Sequence, residues 1–264
     1  LDKARELGAP QDLLLLPSCR VLVAQSKYDE ALKQCSPDAA TGERKAQLQL
    51  VNGSALLGLE RTADARAMFQ QALDADPTSL DALLGLAGTA QTEGGVEAAK
   101  AVLDGAGDAI KTQARYWLAH GGLSVATGDY AAAESDYTRA LETAKGGAPD
   151  APDRIMALGG LAETQMRAGK VAEADATAEK LTKLAPNNPL VKQLRGQIAA
   201  AGGKVEEART LLEEVVASQP SNTQARTLLA IVNMQQGNLD QAQMHLQQVV
   251  ASEPQNVRAQ RLLA

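Results

Sequence analysis

Apolar residues recur every three or four positions along the whole chain, in stretches separated by short polar turns. This spacing predicts amphipathic α-helices. One alanine position recurs at intervals of 34 residues, except that 41 residues separate Ala133 from Ala174. The seven positions are Ala31, Ala65, Ala99, Ala133, Ala174, Ala208 and Ala242. The chain is therefore predicted to repeat one helical unit, with a single seven-residue insertion.

Glycine marks the predicted turn between the two helices of a unit. Five glycines lie five residues before the repeated alanine: Gly94, Gly128, Gly169, Gly203 and Gly237. Glycine adopts a positive φ at little steric cost, so this position can end one helix directly before the next begins. Ser26 and Glu60 occupy it in the first two units. We therefore expect less favourable turns there.

Proline and small polar residues mark the boundary between units. Four prolines follow the alanine by twelve residues: Pro77, Pro186, Pro220 and Pro254. Two residues further on come Ser79, Asn188, Asn222 and Asn256. Because proline cannot continue a helix and Ser and Asn are good N-caps, one helix is expected to end here and the next to begin.

This period, with small residues at fixed positions, resembles the tetratricopeptide repeat (TPR) family. The clearest copy contains Trp117, the turn 128–130 and the residues Ala133, Tyr137 and Ala140. The second unit is similar, with Gly53, Ala65, Phe69, Ala72 and Pro77. The resemblance implies an all-α fold, a right-handed α-solenoid (superhelix) of tandem helix-turn-helix repeats in which each repeat is stabilised by stacking on its neighbours.

The organisation expected from this phase is one superhelix over residues 1–264. The repeats are placed at about 12–45, 46–79, 80–113, 114–152, 153–188, 189–222 and 223–256, with half-repeats at 1–11 and 257–264. The insertion, 146–152, is expected to be a flexible surface loop or a lengthened helix end. Repeat arrays normally finish with polar capping elements. Neither end shows one, so we expect a fragment of a longer array whose uncapped ends could self-associate.

Composition and charge exclude several classes of function. The net charge is −6, and no Lys/Arg cluster supplies the basic face that nucleic-acid binding requires. No apolar run approaches the roughly 20 residues that span a bilayer. The glycine pairs are not followed by Lys-Ser/Thr, so they are not phosphate loops. We expect no nucleic-acid partner and no membrane span.

The sequence offers no constellation for catalysis, a metal or a cofactor. His120 and His245 lie in different repeats, and no His or Cys spacing matches a metal site. His120 occupies a position that usually holds a core leucine, so we expect it to be buried. His245 is expected to face outward. The chain is predicted not to be an enzyme.

Two cysteines, Cys19 and Cys35, fall on the first and second helix of the first full repeat. These helices pack together, so the two sulfur atoms could be neighbours. Two interpretations stay open: a pair of buried free thiols that behave as small apolar groups, or a disulfide, which would imply an oxidising compartment.

In TPR proteins the first helices line a concave face where ligands usually lie. The resemblance therefore implies a partner-binding groove. Its candidate residues are Leu16, Arg20, Leu50, Leu84, Gln91, Arg115, Leu118, Glu163, Arg167, Gln193, Gln197 and Gln224. Two interpretations of the four leucines stay open. They bind a partner helix or extended segment, helped by Arg20 and Arg115, or they complete the packing between adjacent first helices.

The late repeats (225–230, 236–238 and 254–259) and the segment 6–10 resemble the long bacterial TPR lipoproteins of exosortase (PEP-CTERM) systems. That resemblance implies a scaffold of the bacterial cell envelope or periplasm, in exopolysaccharide export or protein sorting. The alternative is a cytoplasmic regulatory or assembly scaffold. In either case we expect a protein or peptide segment as the partner in the concave groove.

Overall fold

A computed structural model describes residues 11–148 and 151–264 of the chain. The predicted half-repeat at 1–11 therefore lies outside the described residues except for its last position, and so do residues 149 and 150 of the predicted insertion. By its internal contacts the chain divides into two compact units, residues 1–129 (unit 1) and 130–264 (unit 2).

Unit 1 consists of helices joined by short turns. They are α1 (Gln11–Ala24), α2 (Tyr28–Gln34), α3 (Gly42–Gly58), α4 (Thr62–Ala75), α5 (Leu80–Asp104), α6 (Asp108–Lys111) and α7 (Ala114–Ala126). A 3-10 turn, Pro37–Ala39, lies between α2 and α3. Gly95 interrupts α5 with non-helical backbone angles (φ 82°, ψ −170°), so α5 comprises two helical segments.

Unit 2 is more regular. Its helices are α8 (Tyr130–Thr143), α9 (Pro152–Arg167), α10 (Val171–Leu184), α11 (Pro189–Ala201), α12 (Val205–Ser218), α13 (Thr223–Gln235), α14 (Leu239–Ser252) and α15 (Val257–Leu263). A 3-10 turn, Ala144–Gly146, follows α8. Each helix packs on the next one along the chain.

The predicted fold class, all-α with tandem helix-turn-helix repeats, is confirmed. The described residues contain helices and turns but no strand. We call the first helix of each repeat its A helix and the second its B helix. The A helices are α1, α3, the first segment of α5, α7, α9, α11, α13 and α15; the B helices are α2, α4, the second segment of α5, α8, α10, α12 and α14.

The predicted turn position requires a positive φ. Gly128, Gly169, Gly203 and Gly237 have φ between 75° and 79°. Ser26 (φ 58°) and Glu60 (φ 59°) adopt the same left-handed conformation without being glycine. The assignment of the third turn to Gly94 is wrong. The preceding helix continues through Gly94 and the positive φ falls on Gly95, because either member of a glycine pair can adopt it.

The structure contains the predicted helix ends and N-caps at the four prolines. In all four, the B helix ends two residues before the proline, at positions 75, 184, 218 and 252. The side chains of Ser79, Asn188, Asn222 and Asn256 each accept a hydrogen bond from a backbone N–H of the following A helix. These caps satisfy amides that would otherwise lack a partner at the start of the helix.

Glycines on the A helices leave room for large side chains. The Phe69 ring of α4 packs so closely on Gly53 of α3 and Gly85 of α5 that a Cβ atom at these glycines would lie 2.7 Å and 2.4 Å from it. In unit 2, a Cβ at Gly160 would lie 2.5 Å from the ring of Tyr137. This close approach explains why an A helix and a B helix can pack with few aromatic residues.

Candidate functional site

A groove of about 750 Å³ runs along the A helices of unit 2. The A helices α9, α11 and α13 supply most of its lining. Two large apolar side chains are exposed in it, Met156 (59%) and Leu190 (69%). Leu194, Leu228 and Ile231 lie behind them and are partly buried. We call this surface the unit 2 groove.

The 34-residue register explains why the lining comes from A helices. Met156, Leu190, Gln224 and Arg258 are spaced by 34 residues, and all four line the groove. The same position of successive A helices therefore meets the same surface. Along this row the lining changes from apolar, at Met156 and Leu190, to polar, at Gln224 and Arg258.

The polar groups of the unit 2 groove are mostly amides. Gln193 Oε1 accepts a hydrogen bond of 2.9 Å from Asn222 Nδ2, which orients the Gln193 side chain. Arg167 donates to Glu163 Oε1 at 2.7 Å, and this hydrogen bond raises the pKa of the Arg167 guanidinium. Because Glu163 and Arg167 neutralise one another, the groove carries little net charge apart from Arg258 at its last helix.

A second groove, of about 700 Å³, lies in unit 1 and differs in chemistry. Most of its lining is polar or charged: Arg20, Glu43, Lys45, Gln47, Gln49, Gln71, Asp76, Ser79 and Asp81, with Leu50 among the few apolar members. Asp81 accepts a hydrogen bond of 2.9 Å from Arg115. We call this surface the unit 1 groove.

The predicted groove residues separate between these two surfaces. Arg20 and Leu50 line the unit 1 groove, and Glu163, Arg167, Gln193, Gln197 and Gln224 line the unit 2 groove. Gln91 is exposed but lines neither groove, and Arg115 pairs with Asp81 at the unit 1 groove. Sequence reasoning missed Met156, Leu190 and Ile231. The 34-residue interval between Met156 and Leu190 was the signal that could have identified them.

The four predicted leucines take part in packing. Leu16 and Leu50 are partly buried against hydrophobic clusters of unit 1, as is Leu84. Leu118 is only 9% exposed. This burial favours the interpretation that the leucines complete the packing between helices. Among the residues that line the two grooves, the exposed large apolar side chains are Met156 and Leu190 of unit 2.

The two cysteines hold the first repeat together. Cys19 lies on α1, and Cys35 is the first residue after α2. Their Cα atoms are 5.9 Å apart and their sulfur atoms are joined in a disulfide. Both are buried against Leu48 and Val51 of α3. Of the two states that the sequence left open, the structure contains the bridged one.

His120 is buried (7% exposed), as expected, and is held by polar neighbours. Its Nε2 lies 2.9 Å from Asp104 Oδ1 and 3.0 Å from Lys100 Nζ. The hydrogen bond from His120 lowers the pKa of the Asp104 carboxyl. These contacts hold the second segment of α5 against α7.

The expectation that His245 faces outward is wrong. Its side chain is partly buried, and Nδ1 has no hydrogen-bond partner within the described residues. Burial lowers the pKa of His245, and the neighbouring positive charge of Arg226 lowers it further. His245, three residues after the repeated Ala242, therefore turns towards a neighbouring A helix.

Neither a metal site nor a membrane span is found in the part of the chain that the structure describes. There, His, Cys, Asp and Glu side chains do not gather in groups of three or more that could hold a metal ion. None of the helices of residues 11–148 and 151–264 has the length and apolar character needed to cross a bilayer.

Comparison with protein families identifies the repeat. The tetratricopeptide repeat model matches residues 56–122, 124–198 and 199–264, which is more than half of the chain. A comparison with curated protein sequences finds no match.

Comparison with solved structures identifies the fold. Cut9–Hcn1 of the APC/C is 17% identical, with a TM-score of 0.70 over 93% of this chain, which spans only 47% of that chain. Pseudomonas aeruginosa PilF is 22% identical, with a TM-score of 0.67 over 84% of this chain and 98% of its own. A Parabacteroides merdae tetratricopeptide repeat protein is 16% identical, with a TM-score of 0.66 over 94% of this chain and 96% of its own. At these identities the likeness shows the fold alone.

Proposed function

Because the chain belongs to the tetratricopeptide repeat family, we propose that it is a non-catalytic scaffold that binds a segment of a partner protein in the unit 2 groove. Proteins of this fold are generally protein-interaction scaffolds that bind peptide or protein partners. The observation that carries the proposal is the pair of exposed apolar side chains, Met156 and Leu190, at equivalent positions of α9 and α11.

Apolar burial supplies the driving force for this binding. Covering apolar surface is worth about 25 cal/mol per Å², so two large side chains that are each more than half exposed offer a useful gain. The amides of Gln197 and Gln224 stand beside them and can bond the polar groups of the partner. An apolar strip with a few convergent polar groups is typical of grooves that accept a peptide segment.

The proposal extends to the cell envelope of a bacterium, in polysaccharide export or protein sorting. Its support from the structure is the Cys19–Cys35 disulfide, since such bridges persist in oxidising compartments such as the periplasm. A cytoplasmic regulatory or assembly scaffold is the alternative, and a reducing compartment would favour it.

A capture experiment tests both parts of the proposal. The chain serves as bait for an envelope extract and a cytosolic extract in parallel. We expect a partner from the envelope extract that is lost when Met156→Ser and Leu190→Ser are combined, because the exposed apolar strip is removed. Partners captured only from the cytosolic extract would contradict the envelope assignment and leave the scaffold function intact.

A matched control separates groove binding from general adhesion. Leu239 (63% exposed) and Met244 (47% exposed) lie on the B helix α14 and do not line the groove. The combined Leu239→Ser and Met244→Ser variant should keep the partner. If both double variants lose the partner equally, the groove is not the binding surface.

A further inference from the structure

A crevice of about 340 Å³ lies on unit 1 between its first two repeats, next to the unit 1 groove, with which it shares Lys45 and Gln71. Its walls come from α2 and the following turn on one side and from α4 on the other, with α3 at the base. Leu56 and Met68 supply apolar contact, and Lys45 and Asp38 lie at the rim. Asn52 of α3 lines the base.

The crevice is open because α2 is short. It has 7 residues, whereas the next B helix, α4, has 14. It ends at Gln34, where Cys35 is tied to Cys19 and Pro37 begins a separate turn. The second half of a B helix that would cover the middle of α3 is therefore missing in this repeat.

Asn52 lines this opening and carries an unsatisfied polar group. The residue is 6% exposed, and its Oδ1 has no hydrogen-bond partner within the described residues. A buried polar group without a partner costs about 1–3 kcal/mol, so such groups are rare and call for a physical reason. Asn52 is not needed for helix formation, because asparagine is a mediocre helix former in a helix interior.

The equivalent positions in other repeats show what normally occupies this place. At the register of Asn52 stand Ser18, Leu86, His120, Leu161, Arg195, Leu229 and Leu263. His120 pairs with Asp104 and Arg195 pairs with Glu207, in each case an acidic side chain of a neighbouring B helix. The Ser18 hydroxyl, like the Asn52 carbonyl oxygen, has no hydrogen-bond partner within the described residues. Leucine fills the remaining positions. Asn52 therefore has neither the apolar character of the leucines nor the acidic partner of His120 and Arg195.

We infer that the crevice binds a short extended segment of a partner protein, whose backbone peptide group pairs with the Asn52 carboxamide. A carboxamide offers one acceptor and two donors, and a peptide group presents the complementary donor and acceptor. The pairing holds whichever way the amide is turned. The charges around the crevice balance, with Lys45 and Arg61 against Asp38 and Asp64. A neutral amide therefore fits better than a charged ligand.

Nuclear magnetic resonance of the isotopically labelled full chain tests this inference. The added ligand is N-acetyl-trialanine methylamide, which carries peptide groups and small side chains only. We expect saturable shifts of the Asn52 side-chain NH₂ resonances and of the Met68 methyl group. An analogue whose central amide is replaced by an ester should bind about tenfold more weakly, since it lacks one hydrogen-bond donor. Absence of a shift, or equal binding of the ester, would overturn the inference.

Two variants test whether the shifts arise from binding in the crevice, and two others serve as controls. Asn52→Leu should abolish the Met68 shift and still fold, because leucine stands at the equivalent position in other repeats. Ala67→Trp fills the crevice from its exposed rim and should also abolish the shift without altering Asn52. Ala63→Trp, at an exposed position of α4 outside the crevice, should leave binding unchanged. Retained binding in Ala67→Trp would place the ligand elsewhere. Leu190→Ser should have no effect here.

Discussion

Units 1 and 2 are built from the same repeat but are stabilised differently. In unit 2 the turns between A and B helices lie at Gly169, Gly203 and Gly237, and the A and B helices from α9 to α14 have between 13 and 16 residues. Unit 1 places Ser26 and Glu60 at the equivalent turns, shortens α2 to 7 residues and adds a disulfide. The comparison suggests that a covalent link compensates for weaker local sequence signals in the first repeat.

The same comparison separates the two grooves. The unit 2 groove exposes Met156 and Leu190, whereas the unit 1 groove is lined mostly by charged and amide groups. A repeat therefore keeps its fold while the outward positions of the A helix vary. Binding specificity can change from one unit to the next without cost to the packing.

Removing the disulfide is expected to have the largest effect, and only on unit 1. The bridge closes a loop with a sequence separation of 16 residues, which is worth about 3 kcal/mol in the chain-entropy account. We expect the combined Cys19→Ser and Cys35→Ser variant to lose about this much stability in urea unfolding without reductant. Hydrogen exchange should rise in α1 and α2 and stay unchanged in α11.

Reductant provides the control for this prediction. Dithiothreitol should reproduce the effect in the unmodified protein and do nothing to the double variant. A thiol titration of the denatured protein, prepared without reductant, should detect no free thiol. Detection of two would contradict the bridge and remove the proposed compensation in the first repeat.

Substituting alanine for a close-packed glycine is expected to have the next largest effect. It should lower the free energy of unfolding in both units. In unit 1, a Cβ at Gly85 would lie 2.4 Å from Phe69, whereas one at Gly88 on the same helix would meet nothing within 4 Å. Overpacking costs about 1–3 kcal/mol, and alanine gains up to about 1 kcal/mol over glycine in a helix. We expect Gly85→Ala to lower the free energy of unfolding and Gly88→Ala to raise it.

Unit 2 offers the same matched pair. A Cβ at Gly160 would lie 2.5 Å from Tyr137, but a Cβ at the adjacent Gly159 would lie 3.9 Å from Leu181, an ordinary contact. Denaturant unfolding should therefore rank Gly160→Ala below the unmodified protein and Gly159→Ala at or above it. Similar stabilities for the two alanine variants would show that the Tyr137 ring yields easily and that the close packing is not selective.

Exchanging the turn residues should stabilise unit 1 and destabilise unit 2. A left-handed conformation costs a residue other than glycine about 1–2 kcal/mol, partly offset by the greater chain entropy that glycine loses on folding. Glu60→Gly should therefore stabilise unit 1 by about 0.5–1 kcal/mol, and Gly203→Ala should destabilise unit 2 by about 1 kcal/mol. Thermal unfolding measures both. A destabilised Glu60→Gly variant would contradict the account of this turn.

Local features of this protein could be predicted from its sequence, and long-range ones could not. The helices, proline boundaries and N-caps depend on residues within a few positions of each other. The 34-residue spacing of positions such as Ala65 or Pro186 was therefore enough to place them. The sequence could not show which apolar residues of the A helices are exposed, because Leu50 and Leu190 look alike in sequence. Which of them packs and which faces outward depends on how neighbouring helices stack. The short α2, and with it the crevice at Asn52, had no signal in the 34-residue phase.

The smallest expected effect concerns an ion pair that recurs between repeats with opposite polarity in the two units. The residue after the repeated alanine pairs with a residue at the next turn: Glu134 with Lys170 in unit 2, but Arg66 with Glu93 in unit 1, at 2.7 Å and 2.8 Å. These pairs are exposed, so each contributes less than the effects above. Glu93 lies six residues before the next repeated alanine and Lys170 lies four residues before it, so the two pairs are similar without occupying equivalent positions.

The Glu134–Lys170 pair predicts a specific pH dependence. The hydrogen bond from Lys170 lowers the pKa of Glu134 below its usual value of 4.5, so its contribution to stability is present above that pH and is lost as the pH falls through the lowered pKa. Lys170→Ala should therefore lower the melting temperature slightly at pH 7 and not at all once Glu134 is protonated in both proteins. Exchanging the two residues (Glu134→Lys with Lys170→Glu) should restore the stability, because the attraction between opposite charges does not depend on which residue carries which charge. A difference that persists at low pH or in 1 M salt, where charges are screened within about 3 Å, would mean that Lys170 acts through packing instead of charge.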